Sequence, residues 1–264
     1  MGLLFNYNKE GPGVSKNQPE KKDFWRFFEL LGRNFKNLVL ANLWTALLSL
    51  PVVTVGLGQV GLTFITRTIS HDRHLFLTSD YFETVKKNWK QGLAISIIDL
   101  MFIIILACDI YFFYLLSDSL VGVVGLVFSL IVALLFIFSG YYRYVLAITF
   151  NFSIVQIYKN SFLLAICGFV RNLITTLCLL VLYLIVFGIG WIMGGLGFLV
   201  LFLLFLFFVP ALRSFIIQFT IFPVVLKYVI EPYYAEHPDE DIEKRRELGL
   251  LPYASPDEDV DWGE

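Results

Sequence analysis

Two aspartates stand inside an apolar stretch of this sequence, where a carboxylate is costly. Asp99 lies in the first half of the run LAISIIDLMFIIILACDIYFFYLL, residues 93–116, and Asp109 lies near its far end. A carboxylate in a membrane-spanning segment can bind an ion or carry a proton. It can also make a polar contact that holds two helices together. We favour the structural contact for Asp99, with cytoplasmic-side bases, Asn42 or Thr54 as its partners.

The stretch His71-Asp72-Arg73-His74 has the residue types of a metal site without its spacing. Two histidines three residues apart on a helix can share a metal ion, but no third ligand is fixed by spacing. We therefore expect solvated side chains here, with no metal and no cofactor. The sequence also has no Walker motif, no G-x-S-x-G and no H-E-x-x-H, so nothing favours an enzyme.

The elements that must position these residues are membrane helices. Of the 264 residues, 58% are hydrophobic, against about 45–50% in soluble domains. Four apolar runs reach or approach the roughly 20 residues that a helix needs to cross a bilayer, and a fifth run is longer but interrupted. The runs are 93–116, 120–142, 172–193 and 196–212, and the interrupted one is 38–69. We predict an all-α polytopic protein of the cell membrane.

Lysine and arginine indicate how the chain is oriented. They cluster near the amino terminus and at 67–90, whereas the links at 117–119 and 190–197 have none. Cytoplasmic loops carry the excess of Lys and Arg. The four runs therefore predict two transmembrane helical hairpins with their tight turns outside, and cytoplasmic amino and carboxyl termini. Arg171 and Arg213 are predicted to mark cytoplasmic helix ends, with their side chains reaching the interface.

Residues 38–66 must then leave and return on the same side of the membrane. Two helices of about 14 residues would each be roughly 21 Å long, which is short for a hydrocarbon core of roughly 30 Å. Pro51 interrupts a helix, and Gly56 and Gly58 loosen the chain after it. We predict a re-entrant or short paired segment. The alternative is one kinked transmembrane helix, which would place the 67–90 loop outside.

A repeated amphipathic stretch supports a shared cytoplasmic side. Residues 27–37, FFELLGRNFKN, match residues 81–91, YFETVKKNWKQ, in kind at most positions when aligned. Apolar residues recur at helical spacing in both copies, as in Phe82, Val85 and Trp89. We expect each copy to be an interfacial amphipathic helix whose apolar side chains dip into lipid and whose bases face the cytoplasm.

Four polar residues near the second copy invite separate interpretations. Asp80 suits a helix start, with a capping-box carboxylate three residues later. Lys90 is expected to face the cytoplasm or the anionic head groups of the lipid bilayer. Asn88 and Gln91 are not explained by lipid binding, so we expect a partner contact there. A fainter third copy of the repeat is predicted at 158–172.

Charge divides the chain into three predicted parts. Residues 1–22 form a polar segment, and residues 23–230 form the helical membrane domain. Residues 231–264 hold 12 acids against 3 bases. This tail is also interrupted by proline, and we predict that it is largely disordered. Nucleic acid is not an expected partner.

Three stretches resemble the YesL-like family of bacterial integral membrane proteins. They are GPGVSKNQPEKKDFWRFFELLGRNF, NLWTALLSLPVVTVGLG and TSDYFETVKKNWKQG, and the resemblance covers roughly residues 11–220 in order. It implies a polytopic inner-membrane protein whose relatives are often encoded beside ABC sugar importers and two-component regulators. No catalytic residues are established for that family, and the tail beyond 231 departs from its pattern.

We therefore expect a non-enzymatic membrane protein, an accessory or regulatory component of saccharide uptake or sensing. The resemblance implies an ABC sugar importer or a two-component sensor as its partner. The alternative is a small-molecule or ion transporter or channel with its site at the broken segment 51–61. The candidate functional or structural polar positions are Asn42, Pro51, Thr54, Gly56, Gly58, Asp80, Asn88, Lys90, Gln91, Asp99 and Arg171.

Overall fold

The computed structural model describes residues 23–232, and all regular structure in that range is helical. The predicted polar segment 1–22 and residues 233–264 of the predicted tail lie outside the described residues. Short connections join the helices of the described range. These helices are α1 Asp23–Arg33, α2 Phe35–Leu48, α3 Val55–Ser70, α4 Leu77–Leu115, α5 Leu120–Thr149, α6 Ile154–Cys167, α7 Phe169–Ile192, α8 Gly197–Phe207 and α9 Val209–Val225.

Five helical stretches in the described range are long and apolar enough to cross a membrane. This finding agrees with the predicted all-α membrane class. The side of the membrane on which each turn lies stays a prediction. The five stretches are Val52–Ser70, Leu77–Leu115, Leu120–Thr149, Phe169–Ile192 and Val209–Ile230.

The predicted span at 196–212 is not one helix. Helix α8 ends at Phe207, and Phe208 then adopts non-helical angles (φ −142°, ψ −45°). Helix α9 begins at Val209 with a proline in its first turn. Proline has no backbone N–H to donate, which favours a helix start at this place. The stretch long enough to cross a membrane is therefore Val209–Ile230, and the prediction of a span at 196–212 is wrong.

The break predicted within residues 38–66 is confirmed. Helix α2 ends at Leu48, α3 begins at Val55, and Pro51 lies between them in extended conformation (φ −78°, ψ 127°). The Thr54 hydroxyl closes this turn by donating to the carbonyl oxygens of Leu48 (2.6 Å) and Pro51 (2.8 Å). The two short helices pack against each other. Whether this pair re-enters one side of a membrane stays a prediction.

Glycines bring α3 close to its two neighbours. A methyl group on Gly56 would overlap the carbonyl oxygen of Gly92 on α4, and one on Gly58 would press against Thr45 of α2. Small residues at helix crossings in membranes let the backbones approach. Both Gly56 and Gly58 lie inside the regular helix α3. The prediction that they loosen the chain is therefore wrong, and what they provide is space.

Gly56→Ala should reduce the free energy of unfolding by about 1–3 kcal/mol, because α3 and α4 must separate to admit the methyl group. Thermal unfolding of the purified protein in detergent measures this loss. Gly32→Ala in α1 is the matched control, since no described neighbour lies within 4 Å of its added carbon. An equal loss in both variants would contradict the packing role of Gly56.

The repeated stretch forms the same bend twice. Asn34 joins α1 to α2 with φ −104° and ψ 15°, and Asn88 bends α4 with φ −112° and ψ 18°. Each side-chain amide donates to the carbonyl oxygen four residues earlier, that of Leu30 (3.1 Å) or Thr84 (3.0 Å). Such local bonds let asparagine tolerate a departure from helical geometry. The fainter third copy has a similar bend at Gly168 (φ −93°, ψ 18°).

The second copy of the repeat packs on protein along one side. Tyr81 is fully buried against α3, and its hydroxyl forms a hydrogen bond with that of Thr45 (3.0 Å). Val85 packs on the same core, whereas Phe82 and Trp89 remain exposed. The prediction that all three apolar side chains dip into lipid is therefore wrong for Val85.

Candidate functional site

Helices α3, α4, α5 and α9 surround a cavity of about 310 Å³. This volume lies at the lower end of the range for small-molecule sites, about 300–1,000 Å³. Polar side chains interrupt its apolar wall, and such residues within a membrane bundle are candidates for function. The lining includes Gln59, Thr63, Asp99, Arg213, Ser214 and Gln218.

The lining of the cavity is exposed beside Val52 and Ile103 and buried on the α9 side, which we call the closed end. Val52, beside the turn between α2 and α3, is 63% exposed, and Ile103 on α4 is 52% exposed. Ser214 and Gln218 on α9 are only 3% and 2% exposed.

Asp99 is held by residues of two other helices. Arg143 of α5 forms an ion pair with it, and the Tyr158 hydroxyl of α6 donates to the same carboxylate oxygen over 2.6 Å. The buried Arg143 guanidinium also donates to the carbonyl oxygen of Phe136 and the hydroxyl of Ser139, each over 2.8 Å. These bonds offset part of the desolvation of a buried pair, and the Nε atom of Arg143 has no partner in the described part of the chain. Asp99 thus makes the favoured structural contact, which links α4, α5 and α6.

Two residues that were expected beside Asp99 lie elsewhere. Asn42 lies at the break between α8 and α9, where its side chain donates to two carbonyl oxygens of α8 and accepts the backbone amide of Ala211. Thr54 bonds within its own turn. The predicted contacts of Asp99 with Asn42 or Thr54 are therefore wrong, and the basic partner is Arg143.

Two polar side chains near the closed end lack partners in the described part of the chain. The Oε1 atom of Gln218 is buried and accepts no hydrogen bond. Arg213, five residues earlier on α9, lines the same cavity, and none of the ion pairs between described residues includes it. Arg213 lies near the start of α9, which runs from Val209 to Val225, and the span 196–212 that it was predicted to end is not one helix.

Three other predicted positions lie outside the cavity. The Gln91 side chain donates to the carbonyl oxygen of Phe152, between α5 and α6, over 2.8 Å. Lys90 is exposed. Arg171 is exposed near the start of α7, as expected for a helix end, and reaches the carbonyl oxygen of Thr220 (3.4 Å). Gln91 is thus explained by an internal contact, and a partner contact there stays a prediction.

Asp80 lies in the first turn of α4 and accepts a hydrogen bond there. The helix begins at Leu77, three residues before Asp80, so the predicted capping box starting at Asp80 is wrong. The Asp80 carboxylate instead accepts the backbone amide of Phe76 over 2.9 Å. A carboxylate in the first turn of a helix also interacts favourably with the helix dipole.

The two histidines after α3 have different surroundings. The His71 ring packs 4.1 Å from that of Phe222. Burial, with the nearby charges of Arg67 and Arg73, lowers the pKa of His71 to about 3. The prediction of solvated side chains is therefore wrong for His71 and right for the exposed His74. Among the described residues, no three His, Cys, Asp or Glu side chains gather as metal ligands.

His71→Leu should make stability less sensitive to acid. In the folded protein the pKa of His71 is about 3, against an ordinary value of 6.5, so the ring stays neutral until the pH falls to about 3. Between these values the unfolded chain binds the extra proton. The free energy of unfolding therefore falls as pH drops below 6.5, by up to about 1.4 kcal/mol per pH unit. Thermal unfolding from pH 7 to pH 5 should show a steeper loss in the wild type than in the variant.

The matched control for this pH series is His74→Leu, which removes an exposed histidine from the same connection. We expect it to keep the steeper pH dependence of the wild type. If His71→Leu and the wild type lost stability equally on acidification, a buried neutral His71 would be contradicted.

Comparison with known proteins adds one match over the first part of the chain. Residues 24–110 match the model of a family described as a protein of unknown function, DUF624. The match includes both copies of the repeat and Asp99, but none of α5 to α9. No curated protein and no solved structure matches the chain. Over α1 to most of α4, the chain is therefore similar to an uncharacterised family.

Proposed function

We propose that this chain is a non-enzymatic membrane protein that binds a small polar solute in the cavity between α3, α4, α5 and α9. The observation that carries the proposal is Gln218, a cavity-lining side chain whose Oε1 atom is buried without a hydrogen-bond partner. Buried polar groups in proteins are nearly always hydrogen-bonded. A bound solute that supplies the missing bond would stabilise the closed end of the cavity.

An accessory or regulatory role in saccharide uptake or sensing is the first candidate for what this binding does. It rests on the resemblance of residues 11–220 to the YesL-like family, and the family match at 24–110 supports a relation to an uncharacterised family. The partner in that role would be an ABC sugar importer or a two-component sensor. The solute would then act as a signal that the bundle detects.

Transport is the second candidate, and the place of the cavity favours it. Val52 and Val55 line the cavity at the break between α2 and α3, and Gln59 follows one turn later. Interrupted helices line the substrate sites of many transporters. The predicted site at the broken segment 51–61 therefore remains a proposal, now with Arg213 and Gln218 as its opposite wall.

Solute binding is tested with three six-carbon polyols that differ at one end. These probes are gluconate with a carboxylate, glucitol with a hydroxymethyl group and glucamine with an ammonium group. Equilibrium dialysis of each probe against the full chain in lipid nanodiscs measures binding. We expect at least one probe to bind the wild type, and the Gln218→Leu variant to bind that probe about tenfold more weakly. If none of the three binds in this way, the proposal is wrong.

Reconstitution into vesicles separates the two roles. Saturable uptake of the bound probe by vesicles containing only this protein would support transport and contradict a purely accessory role. Binding without uptake would support the accessory role. The Gln218→Leu variant serves as the control, because it should lose the probe-dependent signal in either case.

The proposed topology, with both termini in the cytoplasm, is tested by one engineered cysteine. In a variant without native cysteines, Ser79→Cys places an exposed thiol at the start of α4. An impermeant thiol reagent added to intact cells should leave it unlabelled, since the 67–90 loop is proposed to be cytoplasmic. Ser117→Cys, in the turn after α4, should be labelled. The reverse pattern would overturn the topology.

A further inference from the structure

We infer that the solute bound in the cavity is a small monoanion that also carries hydroxyl groups. The inference rests on the proposed function, since it names the ligand class of the same cavity. A polyhydroxy carboxylate has this chemistry, and so does the head group of phosphatidylglycerol. Charge, hydrogen bonding and size at the closed end of the cavity support this class.

The cavity carries one positive charge that no described residue neutralises. Asp99 is already paired with Arg143, so together these two add no net charge. Arg213 faces the same space and belongs to no ion pair between described residues. A guanidinium is always charged at neutral pH, and an uncompensated charge inside a membrane bundle is costly. An anion beside Arg213 lowers that cost, whereas a cation raises it.

The hydrogen-bonding groups near Arg213 require more than an anionic oxygen. The Oε1 atom of Gln218 can only accept, so its missing partner must be a donor. A carboxylate supplies no donor, but a hydroxyl group on the same molecule does. Gln59 and Thr63, one turn apart on α3, line the cavity as well and offer further groups to hydroxyls.

Two other polar groups on the wall are already engaged. The hydroxyl of Ser214 is hydrogen-bonded to that of Thr66 (2.8 Å), and Tyr141 to Thr176 (2.9 Å). On the α9 side of the wall, the polar groups without a described partner are therefore those of Arg213 and Gln218, five residues apart. A guanidinium binds a carboxylate or phosphate through paired, charge-assisted hydrogen bonds. This arrangement suits an anionic head with a hydroxyl group close to it.

The experiment compares gluconate, glucitol and glucamine as ligands of the full chain in phosphatidylcholine nanodiscs. We expect gluconate to bind at least about tenfold more tightly than glucitol, and glucamine to bind most weakly. Arg213→Gln should weaken gluconate binding by about tenfold and change glucitol binding by less than about twofold. Arg213→Lys, which keeps the charge, should retain most of the preference for gluconate over glucitol. Arg171→Gln, at an exposed arginine, should behave as the wild type.

A second arm of the experiment identifies the source of the anion. With phosphatidylglycerol added to the nanodiscs, unchanged gluconate affinity indicates a free solute. If phosphatidylglycerol weakens gluconate binding to the wild type but does not weaken it in Arg213→Gln, the lipid head group competes for the site. Both results support a hydroxylated monoanion.

Three results would overturn the inference. If glucitol bound as tightly as gluconate, the inferred anion would be wrong, but the proposal that the cavity binds a solute would stand. Equal weakening of both probes by Arg213→Gln would have the same meaning. Absence of any Gln218-dependent binding would contradict the proposed function as well. If Arg213→Gln fails to fold, the ranking of the three probes on the wild type decides.

Discussion

Arg143→Met should reduce the free energy of unfolding by about 3–5 kcal/mol, because it leaves the buried carboxylate of Asp99 without its charged partner. The Arg143 side chain is 1% exposed and that of Asp99 is 20% exposed, so water cannot replace the lost ion pair fully. The substitution also removes the bonds to Phe136 and Ser139 and the packing of the guanidinium 4.0 Å over the Phe136 ring. Thermal unfolding in detergent measures the loss.

A double-mutant cycle separates the ion pair from the packing around it. Asp99→Leu combined with Arg143→Met leaves no charge, so the double variant should recover most of the stability lost by Arg143→Met. Lys159→Met on α6 is the matched control, because that base is exposed and should cost less than about 0.5 kcal/mol. Losses that simply add in the double variant would contradict the coupling between Asp99 and Arg143.

Asn42→Leu should cost about 3 kcal/mol or more, since it removes three hydrogen bonds at the break between α8 and α9. The Asn42 amide donates to the carbonyl oxygens of Phe205 (3.0 Å) and Leu206 (2.8 Å) and accepts the backbone amide of Ala211 (2.8 Å). Each buried backbone group left unsatisfied costs about 1–3 kcal/mol. Asn42 is fully buried, so water does not replace the lost bonds.

Two variants make the Asn42 result specific. Asn42→Asp keeps the acceptor for the Ala211 amide and loses the two donors, although its charge adds a cost of its own. Asn37→Leu on the same helix is the control, because the Asn37 side chain makes only a 3.4 Å contact with Asn34. Thermal unfolding ranks the variants. If Asn42→Leu were as stable as Asn37→Leu, Asn42 would not hold the broken helix.

Local features of this fold were predictable from the sequence. The helical class follows from composition, and the break near Pro51 follows from the geometry of one residue. The repeat of Asn34 at Asn88 predicted similar environments, and the structure has nearly the same backbone angles at both. In each of these cases the physical cause lies within a few residues of its effect.

The contacts of the polar residues depend on helix packing, which apolar periodicity does not specify. Asp99 and Arg143 are 44 residues apart, and Asn42 reaches across 163 residues to Phe205. The sequence did not predict the closed end of the cavity, because the apolar run 196–212 stops just before Arg213 and Gln218. Pro210 was the available signal: it favours a new helix start, and that helix places Arg213 and Gln218 within one span.

The bonds of Asn42 also couple the first helices to completion of the chain. During synthesis α2 is made long before Ala211, so the Asn42 amide is at first part of a chain that lacks the groups to which it will bond. A chain that stops before residue 205 lacks all three partners of this side chain, which is fully buried in the folded protein. We therefore expect chains that end before residue 205 to unfold more readily than the full chain.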